Sequence, residues 1–396
     1  MSIQIGIGIS AQKDIFRAAR EALRQAKANF AAEEANLAVV FSTIEFSHPD
    51  VQKEIGQALE PAQVLGLSSF AIITNHGVLN KAIAIMLIGL SGQAYLNTAF
   101  IKDINAKSAS GAGAELADKL LYGFKNIRRN VSMIFSDGLI PNSYALINGL
   151  QEKLGRSFPL VGACASDNLS FSKTYVYYNG QAYTDAACAI VWGGKLNFGL
   201  GIKHGWKALG KPRSVTKSEG NIAYEIDGLP AVTIYKDYFA SSLEKLRDEL
   251  KLISILYPIG IYLEGEEEYL LRNIISIKDD GALVLQGNIP EGSVIRLMIG
   301  TKESCIAATQ QAAEEVKKGL YGRQPNLIFV FDSVSRYILL GRQAGKELEV
   351  IKKELGQNTP ILGAYTYGEQ APLKALGYQG RAHFHNQAVS IVGLGG

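Results

Sequence analysis

The feature that most constrains the fold is an ordered set of apolar runs and helix-period segments. In the last third of the chain, apolar runs at residues 294–299 and 326–331 are each followed by a helix-period segment, at residues 307–319 and 340–355. A short apolar run at residues 360–364 and an alternating run at residues 388–394 complete the set. Apolar runs of this length predict strands and the helix-period segments predict helices. The predicted order is strand, helix, strand, helix, strand, strand.

The same order occurs twice upstream. The first copy comprises residues 3–9, 14–30, 37–41, 50–59, 64–67 and 82–87, and the second comprises residues 98–103, 113–124, 131–135, 144–154, 159–163 and 187–194. Residues 159–163 and 360–364 both carry proline, two aliphatic residues, glycine and alanine. The more divergent residues 195–292 contain a helix-period segment and a hairpin pattern, and we interpret them as a degenerate fourth copy.

A repeat of roughly 95–100 residues is too long for a solenoid and is the size of a small domain. Strands rich in Val, Ile, Leu and Phe are typical of sheets covered by helices on both faces, and the alternating closing strands are typical of hairpin partners. The sequence therefore predicts an α/β fold with mixed sheets, in two domains built from duplicated βαβαββ modules with pseudo-symmetry. The glycine and proline at residues 210 and 212 suggest a junction that divides the chain into residues 1–212 and 213–396.

Charge and cysteine content exclude several classes of function. The 396 residues include 40 basic and 37 acidic side chains without a basic stripe, so we expect no nucleic-acid partner. No apolar run approaches the ~18 residues that span a bilayer, and no signal segment opens the chain, so we expect a cytoplasmic protein without membrane insertion. The 3 cysteines are widely spaced, which predicts reduced thiols without a disulfide framework or a thiolate zinc site.

Catalytic and metal motifs are incomplete. Gly6 and Gly8 lack the third glycine of a dinucleotide fingerprint. Cys164 lies in a segment similar to a nucleophile elbow, but that motif requires a following helix and residues 175–178 predict a strand. His383 and His385 share one face of a predicted strand, where they could hold a metal, but the sequence indicates no third ligand. We therefore expect no catalytic residue and no metal.

Several motifs resemble one known family. Residues 365–369 (Tyr-Thr-Tyr-Gly-Glu) and 383–387 (His-Phe-His-Asn-Gln) resemble the C-terminal half of FIST domains, named for F-box and intracellular signal transduction proteins. Residues 269–273 and 331–336 also resemble that half, while residues 159–168 and 227–231 resemble the N-terminal half and the junction. The resemblance covers almost the whole chain. One departure is Ser333, where family members commonly carry a cysteine, so no role of that thiol carries over.

The resemblance implies a FIST N-terminal domain at residues 1–212 and a FIST C-terminal domain at residues 213–396, of the stand-alone prokaryotic type. It further implies a sensory protein that binds a small polar ligand such as an amino acid. A separate protein, such as a histidine kinase or a chemoreceptor, would then read the signal.

The residues give this implied ligand a chemical basis. A guanidinium can bind the carboxylate of an amino acid bidentately, and a carboxylate can bind its ammonium group. The predicted ligand-binding residues are Arg272, Arg336, Tyr365, Tyr367, Glu369, His385 and Asn386. The alternative for Arg336 and Glu369 is a structural ion pair that joins two loops.

The N-terminal half carries a counterpart of this site. Gly162, Asp167, Asn168 and Thr174 are predicted to form a second pocket, with local turn chemistry as the alternative.

Two further functions stay open. The first is a haem-binding sensor of nitric oxide or another diatomic gas, with an axial histidine that the sequence does not assign. The second, less favoured, is an enzyme that acts through Cys164 or Glu369.

Overall fold

The computed structural model describes residues 3–124, 126–239, 242–373 and 381–395. Within them, three modules of similar order form the core. The first module contains β1 (Ile3–Ser10), α1 (Ile15–Ala28), β2 (Leu37–Thr43), α2 (Pro49–Leu59), β3 (Gln63–Ser69), β4 (Ile72–Thr74), β5 (Gly77–Leu79) and β6 (Ile83–Leu90). The second contains β7 (Ala94–Lys102), α3 (Ala109–Tyr122), β8 (Arg129–Ser136), α4 (Ser143–Leu154), β9 (Leu160–Cys164), β10 (Val176–Tyr178), β11 (Gln181–Tyr183) and β12 (Ala186–Gly194).

The third module is interrupted after its first strand, β13 (Asn197–Lys203), by an inserted region. The inserted region contains β14 (Lys207–Glu219), β15 (Ile222–Ile226), β16 (Leu229–Pro230), α5 (Thr233–Phe239), α6 (Leu243–Asp248), α7 (Leu250–Leu256), β17 (Ile259–Ile261), β18 (Leu270–Arg272), β19 (Ile274–Ile277), β20 (Leu283–Leu285) and β21 (Val294–Ile299). The module then resumes with α8 (Lys302–Gly319), β22 (Leu327–Ser333), α9 (Val334–Leu340), α10 (Gly345–Leu355), β23 (Ile361–Thr366), β24 (Gly368–Pro372), β25 (Ala382–His385) and β26 (Val389–Gly395).

The modules exchange hairpins in a closed cycle. Each core sheet takes four strands from one module and a hairpin from another, in the orders β1-β6-β2-β3-β10-β11, β7-β12-β8-β9-β24-β25 and β13-β26-β22-β23-β4-β5. The pairs β2–β3, β8–β9 and β22–β23 are parallel, whereas their neighbours pair antiparallel. The predicted α/β class with mixed sheets, duplicated modules and pseudo-symmetry is confirmed, and the symmetry of the core is threefold.

One glycine recurs at the same position of each module. A Cβ on Gly66, Gly162 or Gly363 would lie 1.8, 2.0 or 2.6 Å from a carbonyl oxygen of the neighbouring parallel strand. Such approaches are shorter than any van der Waals contact, so only glycine fits there. This packing explains why the Gly-Ala motif recurs in the sequence.

Three phenylalanines meet where the three sheets face each other. Phe41, Phe135 and Phe331 hold equivalent positions in β2, β8 and β22, and all three are fully buried. Their ring centroids lie 5.4, 5.7 and 6.1 Å apart in tilted or edge-to-face contacts. This geometry is favourable for aromatic pairs, and it places the centre of the main core on the pseudo-symmetry axis.

The third copy differs from its prediction. Residues 294–299, which we expected to open that copy, form β21 and pair antiparallel with β14 and β17 in the inserted region. The true first strand is β13, because it packs on its helix as β1 does. A Cβ on Gly201 of β13 would lie 1.9 Å from the Ala312 carbonyl oxygen of α8, and a Cβ on Gly8 of β1 would lie 1.9 Å from the Ala22 carbonyl oxygen of α1. The prediction was wrong because β21 also precedes a helix, and local order does not specify a pairing partner.

The inserted region is not a fourth copy, so that interpretation was also wrong. Its strands pair antiparallel in the order β18-β17-β21-β14-β15-β20-β19, with β16 beside β15, and they enclose an apolar core of their own. The boundary predicted between residues 212 and 213 falls inside β14. No helix in the described part of the chain is long and apolar enough to cross a membrane.

Candidate functional site

A cavity of about 720 Å³ lies between the inserted region and the core. On the core side, its wall consists of the segments that follow the carboxyl ends of β8, β9, β22 and β23, together with Phe384 of β25. Binding sites in α/β proteins form preferentially at such strand ends and at interfaces between structural units. The volume is within the ~300–1,000 Å³ range of pockets that hold drug-sized molecules.

Amide side chains link the two sides of the cavity. Asn273 donates from Nδ2 to Oε1 of Gln286 at 3.1 Å, and Gln286 donates from Nε2 to the Tyr367 carbonyl at 2.5 Å. The backbone N–H of Asn273 donates to Oδ1 of Asn386 at 3.2 Å. Asn273 and Gln286 belong to the inserted region, whereas Tyr367 and Asn386 belong to the third module. The hydrogen bonds therefore hold the inserted region against the core at the cavity wall.

Arg272 is a buried cation behind this wall. Its side chain is only 2% exposed and donates to the carbonyls of Asn288 (3.0 Å), Leu271 (2.9 Å) and Phe384 (3.0 Å). No carboxylate of the described residues forms an ion pair with it. Burial lowers the pKa of Arg272 to about 10, because its charge is removed from water. The predicted residue thus lies beside the cavity, and its charge lacks a protein counterion in the described chain.

Apolar side chains form the opposite wall and the rim. Leu139, Phe171 and Ile275 line the cavity with 36%, 54% and 58% of their surfaces exposed. Tyr367 also lines it and stacks on Phe171 with ring centroids 4.4 Å apart. The hydroxyl of Tyr367 donates to Asp167, which fixes the orientation of this wall.

Arg336 lies outside the cavity. It is completely buried and forms ion pairs with Asp332 at 2.8 Å and with Glu347, and it donates to the carbonyls of His204 and Cys305. Its partners are therefore two carboxylates other than Glu369. Removal of one member of such a group leaves an uncompensated buried charge, so this arrangement is a structural clamp between β22, α8 and α10.

Glu369 also lies behind the cavity wall. It is fully buried, and it accepts hydrogen bonds from Thr366 Oγ1 at 2.8 Å and from the Ala388 N–H at 3.2 Å. Burial raises the pKa of Glu369 to about 8. A carboxyl group with this pKa is mostly protonated at neutral pH, so it provides little negative charge for a ligand cation.

The remaining predicted residues of the C-terminal site support the wall from outside. Tyr365 is buried against Tyr337 with ring centroids 4.9 Å apart. His385 pairs through Nε2 with the Ala371 carbonyl at 2.9 Å, and burial lowers the pKa of His385 to about 3. Asn386 contributes through its bond to the Asn273 backbone. Of the seven predicted residues, Tyr367 lines the cavity directly.

The four residues predicted for a second pocket do not line the cavity, but Asp167 supports its wall. Asp167 accepts hydrogen bonds from backbone N–H groups of residues 170–173, so it organises the loop that carries Leu169 and Phe171 into the cavity. Thr174 donates to Asp137, Asn168 is exposed, and Gly162 is the packing glycine of β9. The turn chemistry of Asp167 therefore forms one side of the cavity.

The groups considered for catalysis or metal binding lie behind the cavity wall and do not line the cavity. Cys164 is buried beside Ser136 Oγ at 3.3 Å, and burial raises the pKa of the thiol to about 11, which disfavours the reactive thiolate. The rings of His383 and His385 lie 6.4 Å apart. In the described ranges, no three His, Cys, Asp or Glu side chains are arranged to hold a metal ion.

Sequence reasoning missed several polar cavity residues, namely Asn142, Ser143, Asn221, Ser254, Gln286, Asn288 and Ser335. One signal was available. Gln286-Gly287-Asn288 is a polar turn between two apolar segments. The other residues come together only through the pairing of the inserted region with the core.

Two family models match the chain. The FIST N domain matches residues 36–229 and the FIST C domain matches residues 231–372. Uncharacterized protein MJ1623 of Methanocaldococcus jannaschii is 26% identical over 298 residues, which cover 66% of this chain and 56% of that protein. The chain thus spans little more than half of that relative. Uncharacterized protein Rv0628c of Mycobacterium tuberculosis is 22% identical over 387 residues, which cover 94% of this chain and 95% of that protein.

A solved structure of cyanuric acid hydrolase, described as an innovation by structural concatenation, aligns with 99% of this chain and 100% of its own. The TM-score is 0.39 and the sequence identity is 7%, so this likeness carries no argument about function.

Proposed function

Because this chain belongs to the FIST domain family, we propose that it is a sensory protein that binds a small ligand in the cavity between the inserted region and the core. The family is associated with signal transduction, and the cavity is a candidate site for the ligand that such a protein would sense. The observation that carries the proposal is that the cavity wall spans two structural units joined by the Asn273–Gln286–Tyr367 hydrogen bonds. A ligand that contacts both units stabilises one arrangement of them over others, which is the physical requirement for a sensor.

The chemistry of the wall supports binding over catalysis. The polar groups at the cavity are mainly amides and hydroxyls, which orient a ligand by hydrogen bonds. A nucleophilic mechanism needs an activated group with a base within reach, and Cys164 is a buried thiol behind the wall. We therefore propose a non-catalytic protein. Its readout would be a separate cytoplasmic signalling protein, such as a histidine kinase or a chemoreceptor.

The haem alternative is less well supported by this cavity. An axial histidine would have to face the haem iron, and none of the histidines in the described ranges lines the cavity. His385 is bonded to a backbone carbonyl and buried, and the ring of His204 is 2.9 Å from Glu268. The residues present therefore do not fit an axially ligated haem at this place.

The proposal is tested by filling the cavity. Asn288 lines the cavity and is half-buried, so Asn288→Phe would occupy part of its volume. Asn358→Phe makes the same change at an exposed position before β23, at the other end of that strand from the cavity. Native mass spectrometry after equilibrium dialysis against a metabolite extract measures retained small molecules. We expect wild type and Asn358→Phe to retain the same molecule and Asn288→Phe to lose it.

Retention by all three proteins would place the ligand elsewhere. Failure of the wild type to retain any small molecule would contradict the proposed function. An absorbance spectrum of the same samples would return a Soret band if the protein holds haem.

A further inference from the structure

The cavity also indicates the chemical class of its ligand, an inference that rests on the proposed function. We infer that the ligand is an amphipathic carboxylate without an ammonium group, with its anionic end toward Arg272 and its apolar body between Leu139, Phe171 and Ile275. This class differs from the amino acids suggested by the sequence.

The first step is the uncompensated charge of Arg272. The three hydrogen bonds of its guanidinium go to backbone carbonyls, which carry partial charges only. A buried charge is costly unless an opposite charge accompanies it, and no carboxylate of the described chain does so. In contrast, the equally buried Arg336 has two carboxylate partners. An anionic ligand would provide Arg272 with the compensating negative charge that Arg336 receives from Asp332 and Glu347.

The second step is the position of that charge relative to the cavity. Gly287 and Phe384 line the cavity, and a Cβ on Gly287 would lie 2.9 Å from Nε and 3.1 Å from Cζ of Arg272. Gly287 also has a φ of 120°, which L side chains rarely adopt. The guanidinium therefore lies directly behind Gly287, next to the cavity, although Arg272 itself does not line the cavity. The hydrogen bonds of the guanidinium to described residues come from Nε and Nη1.

The third step is the sign of the surrounding field. Asn142 and Ser143, at the N-terminus of the 12-residue helix α4, line the cavity, and this helix end carries partial positive charge. Arg247 and Lys251 line it as well. Arg247 is paired with Asp279 at 2.7 Å, whereas Lys251 is exposed at the rim. The exposed Asp248 lies at the same rim and offsets Lys251, so the partial positive charge of the α4 N-terminus is the contribution that attracts an anion to the cavity.

The fourth step is the lack of a partner for an ammonium group. Asp248 is the carboxylate among the lining residues, and it is exposed to water at the rim. Glu369, which we had expected to bind an ammonium group, lies behind Thr366 and is bonded to that hydroxyl. An amino acid would therefore have to desolvate its ammonium group without a buried carboxylate to balance the charge, at a cost in affinity.

The final step concerns the body of the ligand. At ~30 Å³ for each water molecule, a cavity of about 720 Å³ holds on the order of 20 waters, which is more space than a small polar metabolite fills. An apolar group of the ligand would cover the exposed aliphatic and aromatic rim, and removal of this surface from water favours binding. The combination of a cationic end and an apolar rim selects an amphipathic anion.

The test uses three probes that share an indole ring and a three-carbon chain. Indole-3-propanoate carries a carboxylate alone, tryptophan carries the same carboxylate with an ammonium group, and indole-3-propanamide is neutral. Isothermal titration calorimetry on the full chain should give binding of indole-3-propanoate at least ~10-fold tighter than of either analogue, or ~1.4 kcal/mol. Arg272→Gln should abolish the preference for the carboxylate over the amide.

Because Arg272 is buried, that variant can fail to fold, and a rim variant provides an independent measurement. Ile275→Asp introduces a negative charge at the rim, and Leu252→Asp makes a comparable change at a position that is 57% exposed and does not line the cavity. We expect Ile275→Asp to weaken indole-3-propanoate binding by at least ~10-fold and Leu252→Asp to leave it unchanged.

The outcomes separate the ligand class from the proposed function. Equal affinity for the three probes, tighter binding of tryptophan, or no binding of any probe would overturn the carboxylate class. The proposed function would stand after any of these results if Asn288→Phe still removes the molecule that the wild type retains.

Discussion

The protonation state of Glu369 can be tested through the pH dependence of stability. The change is Glu369→Gln, since glutamine resembles the protonated carboxylic acid in shape and charge. Glu369 is fully buried, and its ordinary pKa of 4.5 rises to about 8 because burial penalises the charged form. Thr366 Oγ1 lies 2.8 Å from Oε1 of Glu369 and 3.4 Å from the Asp332 carbonyl oxygen. The hydroxyl can therefore accept a hydrogen bond from the protonated carboxyl group and donate one to that carbonyl.

The sign of the effect follows from linkage. A group whose pKa is raised in the folded state stabilises the protein fully below its unfolded pKa, and this stabilisation is lost as the pH rises through the folded pKa. Between pH 4.5 and about 8, the wild type should therefore lose ~1.4 kcal/mol for each pH unit relative to Glu369→Gln. The total approaches ~5 kcal/mol above pH 8 and is an order-of-magnitude value. No large pH-independent cost is expected, because glutamine can donate from Nε2 to Thr366 Oγ1 and accept from the Ala388 N–H through Oε1, as the protonated acid does.

The assay is urea denaturation of both proteins at pH values from 5 to 9, with the difference in unfolding free energy plotted against pH. Other titrating groups are common to both proteins and cancel in the difference. A difference that stays constant with pH would show that Glu369 has the same pKa in the folded and unfolded chains. The carboxylate would then be charged at neutral pH, and the argument against an ammonium partner would fail.

Three further predictions concern the scaffold. Gly162→Ala should destabilise the protein by ~1–3 kcal/mol or more, because the new Cβ would lie 2.0 Å from a backbone oxygen. Gly345→Ala, where a Cβ would have no atom within 4 Å, should leave the thermal midpoint nearly unchanged. Equal midpoints for the two variants would contradict the packing argument. Arg336→Met should lower the free energy of unfolding by ~3–5 kcal/mol in urea denaturation, because it leaves two carboxylates buried without their cation. Arg20→Met, at an exposed position, should show no measurable loss of that free energy. A stable Arg336→Met protein would refute the structural clamp. Cys164 should resist a thiol reagent until the protein unfolds, because burial raises its pKa to about 11, and rapid labelling of the native protein would reopen a catalytic role.

Local sequence pattern predicted much of the core. Apolar runs and helix-period segments located most strands and helices of the first two modules, because burial of an apolar face imposes a period that is visible in the residues themselves. The glycines of β3, β9 and β23 also appear in the sequence, since no side chain fits against the neighbouring strand. These features depend on short-range chemistry, and one chain suffices to recognise them.

The candidate site could be predicted only in part. The sequence predicted Arg272, Arg336 and Tyr367 as ligand-binding residues, with a structural ion pair as the alternative for Arg336. Arg336 differs because Glu347, which comes from α10, reaches its guanidinium in the fold. The sequence does not show which carboxylates lie near each arginine. Only the structure distinguishes Arg336, which has carboxylate partners, from Arg272, whose hydrogen bonds go to backbone carbonyls.

The sequence by itself determined most strands and helices of the first two modules, the duplication of the modules and the family that the chain resembles. The tertiary structure decided that hairpins are exchanged around a threefold core, that β13 and not β21 opens the third module, and that the inserted region closes over the core to form the cavity. The physical reason is that secondary structure follows from neighbours along the chain, whereas strand pairing, burial and counterions are set by residues that are distant in sequence and meet only after folding.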